Sequence, residues 1–301
     1  MEPSGVLIVN KGEGMTSHDV VNKIRRLYAT KRVGHTGTLD PMATGVLVVL
    51  IGRAAKAAEY LSADSKEYVA TLRLGITTDT EDVTGKVLTE TDVIPTADAL
   101  TAACAGFVGD IMQIPPMYSA LKVDGKKLCD LARQGVEIER KARPITVHSL
   151  CATPTERESD YILRVACSSG TYIRTLCADI GASLGCGAAM ATLCRSRAGD
   201  FKIEDSHTLA ELEGMSTEQR LSPLLPIESL FSDLPEARLP AFYEKLSRSG
   251  CEIYQKKIRT SFPVGTRVRL YSESGVFYAL GEVREYENGS AIKSIKLFDI
   301  N

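Results

Sequence analysis

The sequence predicts an α+β protein with a small additional β domain at its C-terminal end. Segments with helical spacing and segments with strand alternation follow one another without the regular strand–helix–strand rhythm of a doubly wound sheet. Beyond a polar, proline-containing stretch at 232–240, two segments alternate like strands and are separated by glycine and Asn-Gly turns. We therefore predict a large domain over residues 1–235 and a small β domain over residues 240–301.

The N-terminal part begins with a strand, a helix and a loop. The apolar run Gly5–Asn10 predicts a short buried strand. A helix with an apolar stripe follows, and Thr16 or Ser17 is its N-cap. The run "GVLVVLIG" predicts a second buried strand, and the alanine-rich "RAAKAAEYLS" predicts a helix.

The middle of the chain alternates between ordered and polar segments. Lys66–Gly75 predicts a strand with Tyr68, Ala70 and Leu72 on one face. The acidic segment Thr77–Asp98 is predicted to be exposed and partly mobile. The remaining predicted elements are helices in "TADALTAACAGF", from about Lys126, and in "GTYIRTLCADIGASLG", and strands in "RPITVHSLCA", "YILRVACSS" and "AAMATLCRSRAGDF".

Composition argues against several classes of protein. The chain has 301 residues, of which 44% are hydrophobic, but its longest wholly apolar run, Val46–Ile51, is far too short to span a bilayer. No basic region followed by a long apolar stretch opens the sequence, so we expect a cytoplasmic protein. The four histidines lie far apart and none of the eight cysteines forms a C-x-x-C pair. We expect reduced, buried cysteines and no metal site.

The net charge of −2 conceals two basic stretches, at 20–35 and 256–269, neither of which contains an acid. A basic stripe can follow a phosphate backbone, although either stretch alone is also typical of a solvated helix face. The cations are Lys23, Arg25, Arg26, Lys31 and Arg32 in the first stretch, and Lys256, Lys257, Arg259, Arg267 and Arg269 in the second.

Three residues are candidates for chemistry. Asp40 lies in the glycine-rich loop "GHTGTLDPMATG", where it either carries chemistry or only shapes the loop through an Asx turn. Tyr68 lies in an alternating strand, where an aromatic residue is commonly part of the core. Arg174 opposes the dipole at the start of a predicted helix, so it is either paired with a carboxylate or exposed with a surface partner.

Six segments, in order along about the first 200 residues, resemble the bacterial tRNA pseudouridine-55 synthase family, commonly called TruB. They are "GVLIVNKGEGMTSHDVV", "GHTGTLDPMATGVLVV", "KEYVATLRLG", "QIPPMYSALKVDGKKL", "CSSGTYIRTLCADIGASLG" and "LCRSRAGDF". The C-terminal part resembles, more weakly, the PUA-like RNA-binding domain that such enzymes append. The resemblance implies the pseudouridine synthase fold, with a mixed, largely antiparallel central sheet and flanking helices.

The resemblance also implies an activity. Such an enzyme breaks the C1′–N1 bond of the T-arm uridine at position 55 of tRNA, rotates the base and rejoins it through C5. The reaction needs no cofactor and no metal. Asp40 is implied as the carboxylate at the sugar, where it either attacks C1′ or removes a sugar proton. Arg174 is implied to pair with Asp40, and Tyr68 to stack on the target base and lie where the C5 proton leaves.

Further roles follow from the same resemblance. Tyr172 holds the base and the Asp–Arg pair, Leu193 lines the base pocket, and His35 accompanies base flipping. An insertion at about 110–143 closes over the T-stem-loop of a tRNA, which a monomer binds. The predicted contacts to the RNA backbone are Lys11, Arg25, Arg26, Lys31, Arg32, Lys122, Lys256 and Lys257.

The sequence departs from the family pattern at two positions, with Gly12 where a proline is usual and Cys129 where a tyrosine is common. Two alternatives remain beside a standalone enzyme: a non-catalytic RNA-binding protein or tRNA folding chaperone, and a guide-RNA-dependent synthase. The presence of Asp40, Tyr68 and Arg174 together favours an enzyme. The short tail favours the standalone form.

Overall fold

The structure, a computed structural model, describes residues 2–61, 65–119, 121–123 and 125–299. The first elements are β1 (Gly5–Lys11), α1 (Ser17–Leu27), β2 (Val33–Thr36), β3 (Thr44–Ile51), a 3₁₀ helix (Gly52–Tyr60) and β4 (Lys66–Leu74). Thr16 is the N-cap of α1, because its hydroxyl accepts a bond from the backbone N–H of Asp19 and the Asp19 carboxylate accepts the N–H of Thr16. The predicted alanine-rich helix is therefore present, but as a 3₁₀ helix.

The middle of the chain corrects two predictions. Its elements are β5 (Ile76–Thr78), β6 (Val87–Glu90), α2 (Ala97–Ala105), β7 (Gly109–Gln113), β8 (Lys122–Val123), β9 (Lys126–Lys127), α3 (Leu128–Arg133), β10 (Arg143–Pro154) and β11 (Asp160–Cys167). The acidic segment Thr77–Asp98 is not simply exposed, because β5 and β6 pair and Asp82 between them is buried. The helix predicted from Lys126 begins at Leu128, since the two preceding lysines belong to β9.

The remaining elements complete the large sheet and then build a second one. They are α4 (Ile173–Ser183), β12 (Ala188–Ala198), β13 (Phe201–Lys202), β14 (His207–Thr208), α5 (Leu209–Gly214), β15 (Glu236–Arg238), α6 (Ala241–Arg248), β16 (Ile253–Tyr254), α7 (Gln255–Ile258), β17 (Arg267–Tyr271), β18 (Phe277–Tyr286) and β19 (Gly289–Leu297). Short 3₁₀ helices lie at Ile203–Asp205, Gln219–Leu221 and Ile227–Phe231.

The part of the chain that the structure describes contains a ten-stranded mixed sheet in the order β14-β1-β3-β12-β4-β11-β10-β7, with β2 also on β3 and β13 also on β12. The pairs β1–β14 and β3–β12 are parallel, and the other pairs are antiparallel. The predicted fold class, α+β with a largely antiparallel sheet, is confirmed. Residues of β3 enter apolar clusters on both faces, which explains its uninterrupted apolar run.

The C-terminal segment forms a second sheet in the order β15-β17-β18-β19-β16, with its own apolar cluster. This confirms the predicted small β domain, while the boundaries 1–235 and 240–301 stay predictions. A cluster that includes Phe231, Phe277 and Phe298 packs the second sheet against the 3₁₀ helices of the larger part. The two sheets are therefore joined by buried aromatic surface.

The cysteines and helices bear on two further predictions. All eight cysteines are free, but Cys151 and Cys251 are exposed, so the prediction of buried cysteines is wrong for these two. Among the described residues, no helix combines the length and the apolar character needed to cross a membrane.

Gly45 permits the close approach of β3 to β12. It lies opposite Arg195 in the parallel pair and has a φ of +99°, which side-chain-bearing residues rarely adopt. A Cβ at this position would lie 2.3 Å from the backbone oxygen of Arg195. The glycine therefore allows β3, which follows Asp40 in the chain, to join the centre of the sheet.

We predict that Gly45→Ala destabilises the fold by about 2–4 kcal/mol, because left-handed strain of about 1–2 kcal/mol adds to the cost of overpacking. Urea unfolding measures this change. Gly250→Ala is the matched control, since Gly250 also has a positive φ but an added Cβ meets nothing within 4 Å. Equal losses in the two variants would contradict the steric explanation.

Candidate active site

Asp40 lies in the loop at residues 37–43, which joins β2 to β3 and is called the Asp40 loop below. Gly37 opens the loop with a φ of +70°, and the N–H of Ala43 donates to the carbonyl of Asp40 across a tight turn. The side chain of Asp40 is 39% exposed. The loop thus leaves this carboxylate partly exposed rather than buried.

Arg174, the second residue of α4, points its buried side chain at this carboxylate. Its Nε lies 2.9 Å from Oδ2 of Asp40, and the guanidinium is only 5% exposed. The other two nitrogens donate to the backbone oxygens of Thr80 at 3.0 Å and Tyr118 at 2.7 Å. The sequence left two interpretations of Arg174 open, pairing with a carboxylate or exposure with a surface partner. In the structure Arg174 is buried and paired with a carboxylate.

A second carboxylate near Arg174, that of Asp82, was missed at the level of sequence. Its Oδ2 lies 3.6 Å from Nη1 of Arg174, and the residue is buried. Its Oδ1 accepts bonds from the hydroxyls of Thr80 and Thr84, which fix the carboxylate in place. In the sequence, Asp82 is one of many acids in a polar stretch, and nothing distinguishes it from its neighbours.

Lys11 supports the Asp40 loop by a hydrogen bond to the backbone of the loop. It is fully buried at the end of β1, and its ammonium donates to the backbone oxygens of Gly12 at 2.9 Å and Pro41 at 3.1 Å. Burial lowers the pKa of Lys11, and the nearby charge of Asp40 opposes this shift. The prediction that Lys11 contacts the RNA backbone is wrong, because its ammonium is enclosed by the loop that it supports.

Arg195 of β12 binds the first residue of the Asp40 loop and a residue of the strand that follows the loop. Its Nη2 donates to the carbonyl of Gly37 at 2.9 Å, and its Nε donates to the carbonyl of Val46 at 2.8 Å. Only 1% of the residue is exposed. No local pattern predicts this role, since an arginine in "CRSRAG" is indistinguishable from a surface cation.

Tyr68 and Leu193 form the buried wall beside the loop. They lie on the adjacent strands β4 and β12, and each is less than 10% exposed. Burial raises the pKa of the Tyr68 hydroxyl, while the positive charge of Arg195 and a hydrogen bond with it lower the pKa. The wall is therefore apolar with a single neutral hydroxyl.

Tyr172 immediately precedes α4 and is held by a side-chain amide. Its N–H donates to Oε1 of Gln113 at 2.8 Å, and its carbonyl accepts Nε2–H of the same amide at 3.1 Å. Gln113 is buried at the end of β7, where the predicted insertion begins. Burial raises the pKa of the Tyr172 hydroxyl, so this group too is neutral at neutral pH.

His35 lies on β2, five residues before Asp40, and is half-buried. Its Nδ1 is buried and has no hydrogen-bond partner among the residues that the structure describes. Burial lowers the pKa of His35, and the positive charges of Arg195 and His18 lower it further. The ring is therefore neutral at neutral pH.

The remaining predicted RNA contacts differ in accessibility. Arg26, Lys31 and Lys257 are exposed, whereas Arg25 is partly buried and donates to the carbonyl of Val33. Arg32 is exposed but forms an ion pair with Glu2.

In the second sheet, the exposed Lys256 lies over the ring of Tyr254, 5.7 Å from its centroid. The side chain of Lys122 lies outside the described residues. In the portion of the chain that is described, no group of three or more His, Cys, Asp or Glu side chains is arranged to hold a metal ion.

The fold is that of a pseudouridylate synthase. The sequence pattern of the TruB family pseudouridylate synthase N-terminal domain matches residues 25–173, and that of the tRNA pseudouridylate synthase B C-terminal domain matches residues 174–232. The chain is 42% identical to tRNA pseudouridine synthase B of Alkaliphilus oremlandii over 98% of both chains. It is 40% identical to that of Francisella tularensis subsp. novicida, over 98% of this chain and 95% of the relative. The chain belongs to the TruB family.

Solved structures with a similar fold agree with this assignment. A chain of a Cbf5–Nop10–Gar1 complex is 28% identical, with a TM-score of 0.74, and the match covers 98% of this chain and 85% of that one. A chain of an H/ACA RNP bound to a substrate RNA containing 2′-deoxyuridine has the same TM-score at 25% identity, with the same coverage.

Glu81, a carboxylate near Arg174, should make the stability of the fold depend on pH. The carboxylate of Glu81 accepts a bond from the Thr175 hydroxyl at 2.5 Å, and burial raises the pKa of Glu81 despite this bond and the charge of Arg174. A raised pKa means that ionised Glu81 weakens the fold, and this cost grows as the pH rises above the ordinary value of 4.5. Glu81→Gln should therefore gain stability relative to the wild type between about pH 4 and pH 7.

Urea unfolding at a series of pH values measures this difference. Glu137→Gln is the control, because Glu137 is highly exposed and its replacement should leave the difference nearly independent of pH. A Glu81→Gln variant that loses stability relative to the wild type as the pH rises would contradict the stated sign.

Proposed function

We propose that this chain is a standalone tRNA pseudouridine synthase that isomerises uridine 55 in the T arm. The observation that carries the proposal is the pairing of Asp40 with Arg174 at 2.9 Å, beside Tyr68, Tyr172 and Leu193. A partly exposed carboxylate held by a buried guanidinium meets the requirement of a reaction centre that becomes positively charged. The names of the curated relatives support a tRNA substrate.

Asp40 acts on the ribose in this proposal. Breaking the C1′–N1 bond leaves positive charge at C1′, which a fixed carboxylate stabilises as it does in glycoside hydrolysis. Attack on C1′ and removal of a sugar proton are the two routes, and both require an ionised Asp40. Nε–H of Arg174 donates to this carboxylate, so the pair fixes the direction in which the carboxylate points.

The base enters the site after flipping out of the T loop. Tyr68 and Leu193 supply a buried wall for the uracil ring, and Tyr172 closes the other side from the start of α4. His35 lies on the strand that leads into the Asp40 loop, where it accompanies flipping by occupying space in the T loop.

The insertion at about 110–143 grips the T-stem-loop in this proposal. Its root is the edge strand β7, and the Tyr118 carbonyl beyond it binds Arg174. Recognition of a folded stem-loop by shape and phosphates suits such an element. The proposed enzyme works as a monomer in the cytoplasm, with no cofactor and no metal. A non-catalytic RNA-binding protein or folding chaperone would not need the buried Asp40–Arg174 pair.

We predict that Asp40→Asn abolishes turnover while leaving RNA binding nearly unchanged. The amide cannot supply the negative charge at C1′, so kcat should fall roughly 10³-fold or more. Release of tritium from C5 of the uridines in an unmodified tRNA transcript measures turnover, and filter binding measures affinity.

The exposed Asp92→Asn is the matched control and should behave as the wild type. Equal turnover by Asp40→Asn and wild type would remove Asp40 from the chemistry. Tight binding of the transcript by a wild type without turnover would instead identify a folding chaperone.

A second prediction concerns RNA binding by two lysines of α7, in the C-terminal part of the chain. Lys256→Ala combined with Lys257→Ala removes two exposed cations, so RNA affinity should fall and the slope of log K against log salt should decrease by about one to two units. The kcat should not change, because the chemical step takes place in the other sheet. Lys245→Ala, on α6 of the same domain, serves as a comparison, and an unchanged slope in the double variant would exclude phosphate contacts by these lysines.

A further inference from the structure

Glu81 is a carboxylic acid in a left-handed backbone conformation beside the site. Its φ is +64°, in a region that residues with a Cβ rarely adopt. The side chain is also partly buried, and this burial raises the pKa of Glu81. An acid that is both strained and withdrawn from water weakens the fold, and such outliers are typical of functional sites. Glu81 therefore calls for a role beyond stability.

Glu81 lies between two residues that bind Arg174, in a segment called the 80–82 segment below. The carbonyl of Thr80 accepts Nη1–H of Arg174 at 3.0 Å, and Oδ2 of Asp82 lies 3.6 Å from the same nitrogen. The left-handed conformation at Glu81 turns the chain between these two groups, so both reach one nitrogen of the guanidinium. The backbone of Glu81 thus shapes the surroundings of Arg174.

The side chain of Glu81 binds the residue that follows Arg174 in α4. The hydroxyl of Thr175, which is 5% exposed, donates to Oε2 of Glu81 at 2.5 Å. A β-branched threonine has little freedom at χ1, so this bond holds the helix itself rather than a flexible side chain. Consecutive residues of an α-helix point about 100° apart. Bonds from Arg174 and Thr175 to one segment therefore restrain rotation of α4 about its axis.

The start of α4 needs such a support. Its N-cap, Tyr172, makes no capping bond with its side chain. Arg174, at the second position of the helix, is a cation where the helix dipole favours an anion. The carboxyl group of Glu81, at the third position, is of the type that the dipole favours. Glu81 thus offsets the unfavourable placement of the arginine.

The 80–82 segment is itself fixed to the central sheet. The carbonyl of Glu81 accepts the N–H of Met190 at 3.0 Å, and the N–H of Val83 donates to the carbonyl of Met190 at 3.0 Å. Met190 belongs to β12, which also carries Leu193. Glu81 therefore connects α4, through its side chain, to β12, through its backbone.

We infer that Glu81 is a positioning residue, which holds the first turn of α4 against the 80–82 segment through its bond with Thr175 and so fixes the direction in which Arg174 presents Nε–H to Asp40. Glu81 contacts no reacting atom in this role, and it neither gives nor takes a proton. The inference rests on the proposed function, since it assigns a role within the same reaction.

A double-mutant cycle tests the inference. Glu81→Gly removes the side chain and leaves a residue that adopts the left-handed conformation without strain, and Thr175→Val removes the hydroxyl at nearly constant volume. We expect each variant to lower kcat about tenfold with KM unchanged, and the double variant to lose at most twofold more than either one. Tritium release from the tRNA transcript measures both constants, and urea unfolding verifies that each variant is folded.

Two further variants separate positioning from a purely structural role. Glu81→Gln keeps an oxygen that accepts the Thr175 hydroxyl, so it should restore kcat to within threefold of the wild type. In an Arg174→Lys background, measured at single turnover, Glu81→Gly should lower the rate at most twofold, because the guanidinium to be aimed is absent. Ser183→Ala is the matched control, since it removes a hydroxyl bond to the Ile180 carbonyl at the far end of α4 and should leave kcat unchanged.

The inference is overturned by an unchanged kcat in Glu81→Gly and Thr175→Val, or by losses that multiply in the double variant. A Glu81→Gln variant as slow as Glu81→Gly, or a tenfold loss that persists in the Arg174→Lys background, would also overturn it. If Thr175→Val does not fold or Arg174→Lys has no measurable rate, the comparison of Glu81→Gly with Glu81→Gln decides. A wild type without turnover would instead contradict the proposed function.

Discussion

The guanidinium of Arg174 is the interaction on which the rest of the site depends. It binds Asp40 of the loop between β2 and β3, and the carbonyls of Thr80 and Tyr118 in two further segments. It also lies near Asp82. Leaving a buried guanidinium without its partners is costly, because each lost contact removes compensation for its desolvation. The β5–β6 hairpin, the insertion and the Asp40 loop are therefore each held in place by the same side chain.

In the Asp40 loop, the side chains that support the backbone differ from the side chain that binds the carboxylate. Lys11 and Arg195 hold its backbone through carbonyl oxygens, whereas Arg174 binds its carboxylate. The carboxylate of Asp40 itself stays partly exposed. The loop is therefore surrounded by three cations, and a positive environment attracts a polyanionic substrate.

Periodicity predicted most of the fold, because strand alternation and helical stripes are local consequences of a buried face. Asp40, Tyr68 and Arg174 were found as candidates through glycine-rich or aromatic surroundings together with the family resemblance. Asp82, Gln113 and Arg195 were not, since each depends on a partner more than 50 residues away that no local pattern reveals. Lys11 was misassigned for the same reason, because a lysine after a strand is indistinguishable from a surface cation until the loop above it is placed.

The aromatic cluster between the two sheets has a consequence for the history of the chain. Phe231 belongs to the larger part, and Phe277 and Phe298 belong to the second sheet, yet they pack in one apolar layer. Removing the C-terminal sheet would leave that layer facing water, which invites aggregation. Loss or exchange of the appended sheet during evolution would thus require polar replacements on the 3₁₀ helix that carries Phe231. Because the two parts share this apolar cluster, a substitution on one side of the contact restricts the residues that the other side can tolerate.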